Sequence, residues 1–123
     1  MLADSFFVQL RERGWQPQFI GLKTLSFTAR GKIFVVERID ERRVRFVLPI
    51  MEKSDDLLFE KVEAAKIASR LREAQVVVRD DWFFAELKCD FRHVDLVDSV
   101  VDALLATCDE FLNSYVKLVY KNF

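Results

Sequence analysis

The stretch QVVVRDDWFFAELKCDF, residues 75–91, decides the fold of this chain. Apolar residues recur at every second position on both sides of Asp80-Asp81, which is the period of a β-strand with one buried face. Aspartate tolerates the positive φ of a two-residue hairpin turn, so the pair predicts a hairpin tip rather than a catalytic dyad. The predicted core face carries Val76, Val78, Phe83, Ala85, Leu87, Cys89 and Phe91, and the opposite face carries Val77, Arg79, Trp82, Phe84, Glu86 and Lys88.

A second set of strands is predicted before this hairpin, over residues 24–29, 32–39 and 42–50, with a short start of the sheet near residues 19–20. A two-residue turn at Asp40-Glu41 would place Val36 across from Arg45. That register predicts a core face of Ile33, Val35, Val44, Phe46 and Leu48. It predicts an opposite face of Phe34, Val36, Arg38, Arg43, Arg45 and Val47.

Three amphipathic segments predict helices. The first covers residues 3–13 and ends before Gly14, which suits a left-handed C-terminal position. The second begins after Ser54 as its N-cap. It places Phe59 among charged residues, so this side chain is a candidate dimer contact, although a partly covered surface phenylalanine is the alternative. The third helix runs over residues 95–121, long enough to cover the sheet.

Composition limits the function further. The 123 residues predict a single α+β domain over residues 1–123, with 51% hydrophobic residues to fill its core. A net charge of -1 gives no field that would attract nucleic acid. We expect no membrane span and no secretory signal. Two cysteines, Cys89 and Cys108, are expected to be thiols in the cytoplasm.

Catalytic and cofactor signatures are missing from the sequence. His93 is the only histidine, and the segment from Asp90 to Asp95 has no matching cluster of ligands elsewhere for a metal. No glycine-rich loop follows a strand, so phosphate-binding motifs have no candidate. Cys89 and Cys108 fall on predicted core faces, where a thiol behaves as a small hydrophobic side chain. The sequence therefore predicts a protein that is not an enzyme, with no catalytic residue, metal or cofactor.

The element order α-β-β-β-α-β-β-α, with a mid-chain helix and a long C-terminal helix, resembles the type III secretion chaperone-like superfamily of bacteria. The resemblance covers residues 2–121 and lies in element order and size, without a diagnostic motif. It implies a small cytosolic α+β protein that dimerises and binds an extended segment of a partner over its outer surface. The balanced charge of this chain departs from the acidic character common among secretion chaperones.

Two functions remain open from the sequence. The first is a chaperone-like or adaptor module that binds a partner protein or peptide on the outer sheet face, as a homodimer. Its predicted binding residues are Phe34, Val36, Arg43, Arg45, Val47, Val77, Trp82 and Phe84, because aromatic residues with arginine are enriched at interface hot spots. A helix of the same chain or a dimer mate could equally cover this face. The second function is binding of a small apolar, lipid-like ligand in a cavity between the sheet and the C-terminal helix.

Overall fold

One six-stranded antiparallel sheet carries three helices on one of its faces. The computed structural model describes residues 4–90 and 97–121. The helices are α1 (Asp4–Glu12), α2 (Leu58–Leu71) and α3 (Val97–Lys121). The strands are β1 (Gln18–Gly21), β2 (Thr24–Ala29), β3 (Lys32–Arg38), β4 (Arg43–Glu52), β5 (Gln75–Arg79) and β6 (Trp82–Asp90). The predicted α+β fold is confirmed. The short start of the sheet predicted near residues 19–20 is a separate strand, β1.

The strand order is β1-β2-β3-β4-β6-β5, so β1 and β5 are the two edges and α2 connects β4 to the hairpin of β5 and β6. The hairpin forms as predicted. Asp80 and Asp81 have φ angles of 50° and 64°, both in the left-handed region that a two-residue hairpin turn requires. Phe83 and Ala85 are buried beneath the helices, and Trp82 and Phe84 lie on the opposite face.

The predicted face of β3 is wrong. The turn between β3 and β4 contains three residues, because Ile39 N–H donates to the Arg43 carbonyl and Val36 lies opposite Phe46. The Asp40 carboxylate accepts hydrogen bonds from Arg42 N–H and Arg43 N–H at 2.8 and 2.9 Å, which stabilises the longer turn. A shift of one residue moves every side chain of a strand to the other face.

The largest fully buried side chains of the core are phenylalanines. The Phe27 ring stacks on Phe34 at 5.3 Å between centroids, and the Phe6 ring of α1 meets Phe46 edge-on at 6.1 Å. A second cluster joins Ala64 and Ala68 of α2 to the sheet and to α3. α1 and α3 therefore pack on the same sheet face, as predicted, and α2 packs there too.

The start of α2 differs from the prediction. The helix begins at Leu58, and its N-cap position is Leu57, in a left-handed conformation with φ of 55° and no side-chain cap. Ser54 is not the N-cap. Its hydroxyl accepts a hydrogen bond from the ammonium group of Lys61, which also donates to the Lys53 carbonyl. Lys61 is only 6% exposed. Its buried amine therefore holds the loop before α2, at the place where the sequence predicted a cap by Ser54.

α3 extends for roughly 38 Å and crosses β4, β5 and β6. Ion pairs fix its first turns to the rest of the chain. Arg13, just after α1, pairs with Asp98 at 3.1 Å, and Arg30 in the β2–β3 turn pairs with Asp102. In the part of the chain that the structure describes, no helix combines the length and hydropathy needed to cross a membrane.

Candidate protein-binding face

The outer sheet face is the face of the sheet opposite the helices. Strand alternation and register assign its central side chains: Ile33, Val35 and Glu37 of β3; Arg43, Arg45, Val47 and Pro49 of β4; Val77 and Arg79 of β5; Trp82, Phe84, Glu86 and Lys88 of β6. None of the described helices packs over it. The sequence left two possible covers for this face, a helix of the same chain and a dimer mate. The structure excludes a helix from residues 4–90 or 97–121 of the same chain.

Six of the predicted binding residues lie on this face: Arg43, Arg45, Val47, Val77, Trp82 and Phe84. Phe34 and Val36 do not. Both are fully buried beneath the helices, because the three-residue turn after β3 reverses the faces of that strand. Ile33 and Val35 take their places on the outer sheet face, and Ile33 is 62% exposed. The sequence signal for this difference is Asp40, an aspartate able to accept two backbone hydrogen bonds within a longer turn.

A ladder of ion pairs crosses the outer sheet face. Glu37 pairs with Arg45 at 3.1 Å, the Arg45 Nε atom lies 3.5 Å from a carboxylate oxygen of Glu86, and Arg79 pairs with that same oxygen. Arg45 Nε makes an ion pair here without a hydrogen bond of good geometry. Only 7% of Glu86 and 4% of Val47 are exposed, although they face away from the helices. The charged side chains of the ladder therefore lie flat and cover the centre of the face.

The ladder changes the chemistry expected of a partner. Arg45 already meets two carboxylates of its own chain, and Arg43 pairs with Asp40 at 2.9 Å. From the sequence alone, these arginines are predicted to form the charged part of a binding surface. In the structure each already has a partner within the chain, so the apolar side chains are the groups with contacts left to make.

These apolar side chains concentrate at one end of the outer sheet face. Pro49 lies opposite Phe84, Phe84 lies opposite Val77, and Trp82 follows beside the hairpin tip. Trp82 is 42% exposed, and the other three are partly buried. We call Pro49, Val77, Trp82 and Phe84 the aromatic end. Tryptophan is among the residues most enriched at interface hot spots, so Trp82 is the candidate anchor of this end.

Two further features lie outside this face. An open groove of about 500 Å³ separates α2 from the edge strand β5, with Val62, Ser69, Val76 and Phe83 among its lining residues. Phe59 lies on the same helix and is 70% exposed, as the sequence predicted from its charged neighbours. Other phenylalanine rings on the helix side of the sheet pack on one another in the core, as those of Phe27 and Phe34 do.

The cysteines and possible metal ligands among the described residues form no assembled site. Burial raises the pKa of the Cys89 thiol to about 11, and burial is also the main cause that raises the pKa of Cys108. Within residues 4–90 and 97–121, no three His, Cys, Asp or Glu side chains come together as a set of metal ligands. His93 and the rest of the segment considered for a metal, apart from Asp90, lie outside the described residues.

Two solved structures have a similar fold. A chain of the HopA1–SchA chaperone–effector complex is 13% identical, with a TM-score of 0.62 over 89% of this chain and 89% of that chain. YbjN from E. coli, proposed as a transcription regulator, is 9% identical, with a TM-score of 0.63 over 96% of each chain. No protein-family model matches this chain, and no curated protein matches it in sequence. At these identities the likeness is one of fold, and it agrees with the element order on which the predicted resemblance rests.

Proposed function

We propose that this chain is a non-catalytic protein-binding module, chaperone-like or adaptor in type, that holds a segment of a partner polypeptide on its outer sheet face. The observation that carries the proposal is the aromatic end, where Trp82 is 42% exposed and Phe84 is partly exposed on a face that none of the described helices covers. A chaperone–effector complex among the structures of similar fold gives independent support for binding of a polypeptide.

The partner segment is apolar rather than acidic. The arginines of the ladder are neutralised within the chain, so carboxylates of a partner would gain little there. Binding should therefore depend mainly on burial of the aromatic end and only weakly on ionic strength, since screening acts on exposed charges. Burying a large aromatic side chain contributes roughly 1.5–3 kcal/mol, so Trp82 alone accounts for about ten-fold or more in affinity.

The test is the double substitution Trp82→Ala and Phe84→Ser. Partners are captured on the wild-type protein from the native cytosol and identified by mass spectrometry, and each purified partner is then titrated against wild type and variant. The variant is expected to stay folded and lose the partner. The matched control is Thr28→Ala. Thr28 lies on the outer sheet face, in β2, far from the aromatic end. Unchanged affinity in the double variant would refute the assignment of this face.

We also propose that the module works as a homodimer in the cytoplasm. The exposed Phe59 on α2 supports self-association, because a phenylalanine with 70% exposure leaves most of its ring in water. Both cysteines are free thiols, which supports a reducing compartment. The raised pKa of both thiols and their burial also fit a structural rather than a reactive role.

A further inference from the structure

We infer that the groove between α2 and β5 binds a medium-chain fatty carboxylate, with its carboxylate beside Lys66 and Arg70 and its acyl chain along the apolar half of the groove. The inference goes beyond the proposed function. The groove is formed within one copy of the chain and lies on the helix side of the sheet, away from the aromatic end. The inference therefore depends neither on a partner segment nor on the homodimer.

The groove has a polar end and an apolar end. Ser69 defines the polar end, because its hydroxyl accepts a hydrogen bond from Val76 N–H at 2.8 Å and its carbonyl accepts one from the Gln75 side-chain amide at 3.4 Å. These bonds hold the last turns of α2 beside the start of β5. Val62, earlier in the helix, and Val78, later in the strand, line the same groove, so they form its other end.

Two cations lie at the polar end. Lys66 and Arg70 are four residues apart on α2, so their side chains are neighbours on one face of the helix, and both are exposed. Arg70 has no ion-pair partner among the described residues, and Lys66 has only an exposed pair with Glu63 at 3.4 Å, which contributes little. None of the described residues that line the groove is acidic. A carboxylate there would gain charge-assisted hydrogen bonds from both cations.

The other half of the groove suits an aliphatic chain. Its apolar lining residues are Val62, Ala65, Val76, Val78 and Phe83. Phe83 is buried, whereas Val78 is 44% exposed although strand alternation places it on the helix side. The groove volume of about 500 Å³ lies within the range of small-molecule sites, roughly 300–1,000 Å³. An acyl chain laid along the groove would cover this apolar surface.

A peptide strand is a poorer occupant beside the cations. A strand added to the edge of β5 would need the outward backbone groups of that edge as hydrogen-bond partners. Val76 N–H is such a group, and it already donates to the Ser69 hydroxyl. An acyl chain has no backbone donors or acceptors, so the closed edge does not oppose it. The structure therefore favours an amphiphile whose only polar group is its carboxylate.

The test compares ligands that differ only in head group or chain length. Decanoate, decanol and decyltrimethylammonium are titrated below the concentrations at which they form micelles, and binding is followed by amide NMR shifts. Decanoate should shift the amides of residues 62–70 and 75–78. Its affinity should exceed that of decyltrimethylammonium about ten-fold or more, because the two cations repel the ammonium head group. Affinity should rise from hexanoate to octanoate to decanoate as more apolar surface is buried.

Lys66→Gln with Arg70→Gln keeps polar side chains on α2 but removes both charges. Decanoate affinity should fall about ten-fold, and decanol affinity should stay unchanged. The matched control is Lys117→Gln with Lys121→Gln, which removes two exposed cations four residues apart on α3 and should change neither affinity. Both variants should keep the dispersed amide spectrum of the wild type, because all four side chains are exposed.

Val78→Thr tests the apolar half. Threonine keeps the branched shape of valine but places a hydroxyl in the groove, so decanoate affinity should fall about three-fold or more. Trp82→Ala, on the other face of the sheet, should leave this affinity unchanged, so ligand binding and loss of a partner segment are separable. The inference would be overturned by equal affinity for decanoate and decyltrimethylammonium, by unchanged decanoate affinity in the double glutamine variant of α2, or by amide shifts confined to residues outside α2 and β5.

Discussion

The two cysteine side chains show how burial on the core face controls the reactivity of a thiol. Both thiols lie on the helix-covered side of the sheet, and Cys108 is only 6% exposed. Burial disfavours the thiolate, which is the form that attacks reagents and binds metals. We therefore expect both thiols to react with a thiol-specific disulfide reagent only after the chain is unfolded in urea. Fast labelling of the folded protein at neutral pH would contradict this expectation.

The same raised pKa values predict how stability depends on pH. The pKa of the Cys89 thiol rises from 9.0 to about 11 on folding, so the folded chain keeps a proton that the unfolded chain loses. This contribution to stability is complete below about pH 9 and is lost as the pH rises towards 11. Urea unfolding across that range should show a smaller decline for Cys89→Ala than for the wild type. Equal declines would contradict the assignment to Cys89.

Phe34 and Ile33 provide the sharpest test of the β3 register. Phe34 is fully buried against Phe27, and Ile33 is 62% exposed. Phe34→Ala should lower the free energy of unfolding by about 3–5 kcal/mol because it leaves a cavity. Ile33→Ala should change it by about 0.5 kcal/mol or less. Urea unfolding of both variants measures the difference. A larger loss of stability in Ile33→Ala than in Phe34→Ala would support the two-residue turn instead.

This pair of residues also shows the limit of the sequence pattern. In β5 and β6 the turn residues themselves specify a two-residue loop, so the face of Trp82 and Phe84 could be predicted from alternation. In β3 the pattern alternates equally well in either register, and the choice depends on how many residues the turn contains. Hydrogen bonds from backbone amides to the Asp40 carboxylate decide that number. Alternation alone contains no information about them.

At the scale of elements, α2 is held at its start by a buried lysine. The ammonium group of Lys61 donates to the Lys53 carbonyl at 3.0 Å and to the Ser54 hydroxyl at 2.8 Å, and Lys53 N–H in turn donates to the Asp81 carbonyl. One amine thus connects the helix, the loop before it and, through that loop, the hairpin tip. The sequence predicted a cap at Ser54 because serine favours that position and two aspartates follow it. The pattern gave no sign of a buried lysine, since a lysine inside a helix is normally exposed.

Lys61→Met keeps the length of this side chain but removes its donors. The Lys53 carbonyl and the Ser54 hydroxyl then lose a partner, so we expect a loss of about 1–3 kcal/mol in the free energy of unfolding. Lys117→Met, an exposed position on α3, is the matched control and should change stability by about 0.5 kcal/mol or less. Equal effects in thermal or urea unfolding would show that the Lys61 amine has no special role in the loop.

At the scale of the whole molecule, stability is expected to fall from the middle of the sheet to its edges. β4 is paired on both sides and contains Val44, Phe46 and Leu48 of the core. β1 is an edge strand of four residues, all of them exposed. Amide hydrogen exchange should therefore be slowest in β4, close to the rate set by global unfolding, and fastest in β1. Slow exchange in β1 would indicate that another chain covers this edge.

Only part of the outer sheet face could be predicted from the sequence, because its ion pairs join different strands. Alternation placed Val77, Trp82 and Phe84 on it correctly. The ladder that neutralises Arg45 could not be predicted, because the pairing of Arg79 with Glu86 depends on long side chains that lie across the sheet between strands. Strand alternation assigns an arginine to one face of the sheet, but it does not show whether the guanidinium group is paired there.

The larger core cluster contains side chains from both ends of the described chain, including Phe6 and Leu10 of α1 and Val101 and Leu104 of α3. A ribosome releases the sheet before it releases α3. During that interval the parts of β4, β5 and β6 that contact α3 lack their cover. Such apolar surfaces are recognised by general folding factors and aggregate readily. A protein that we propose to hold segments of other polypeptides therefore needs similar protection itself while its own synthesis is incomplete.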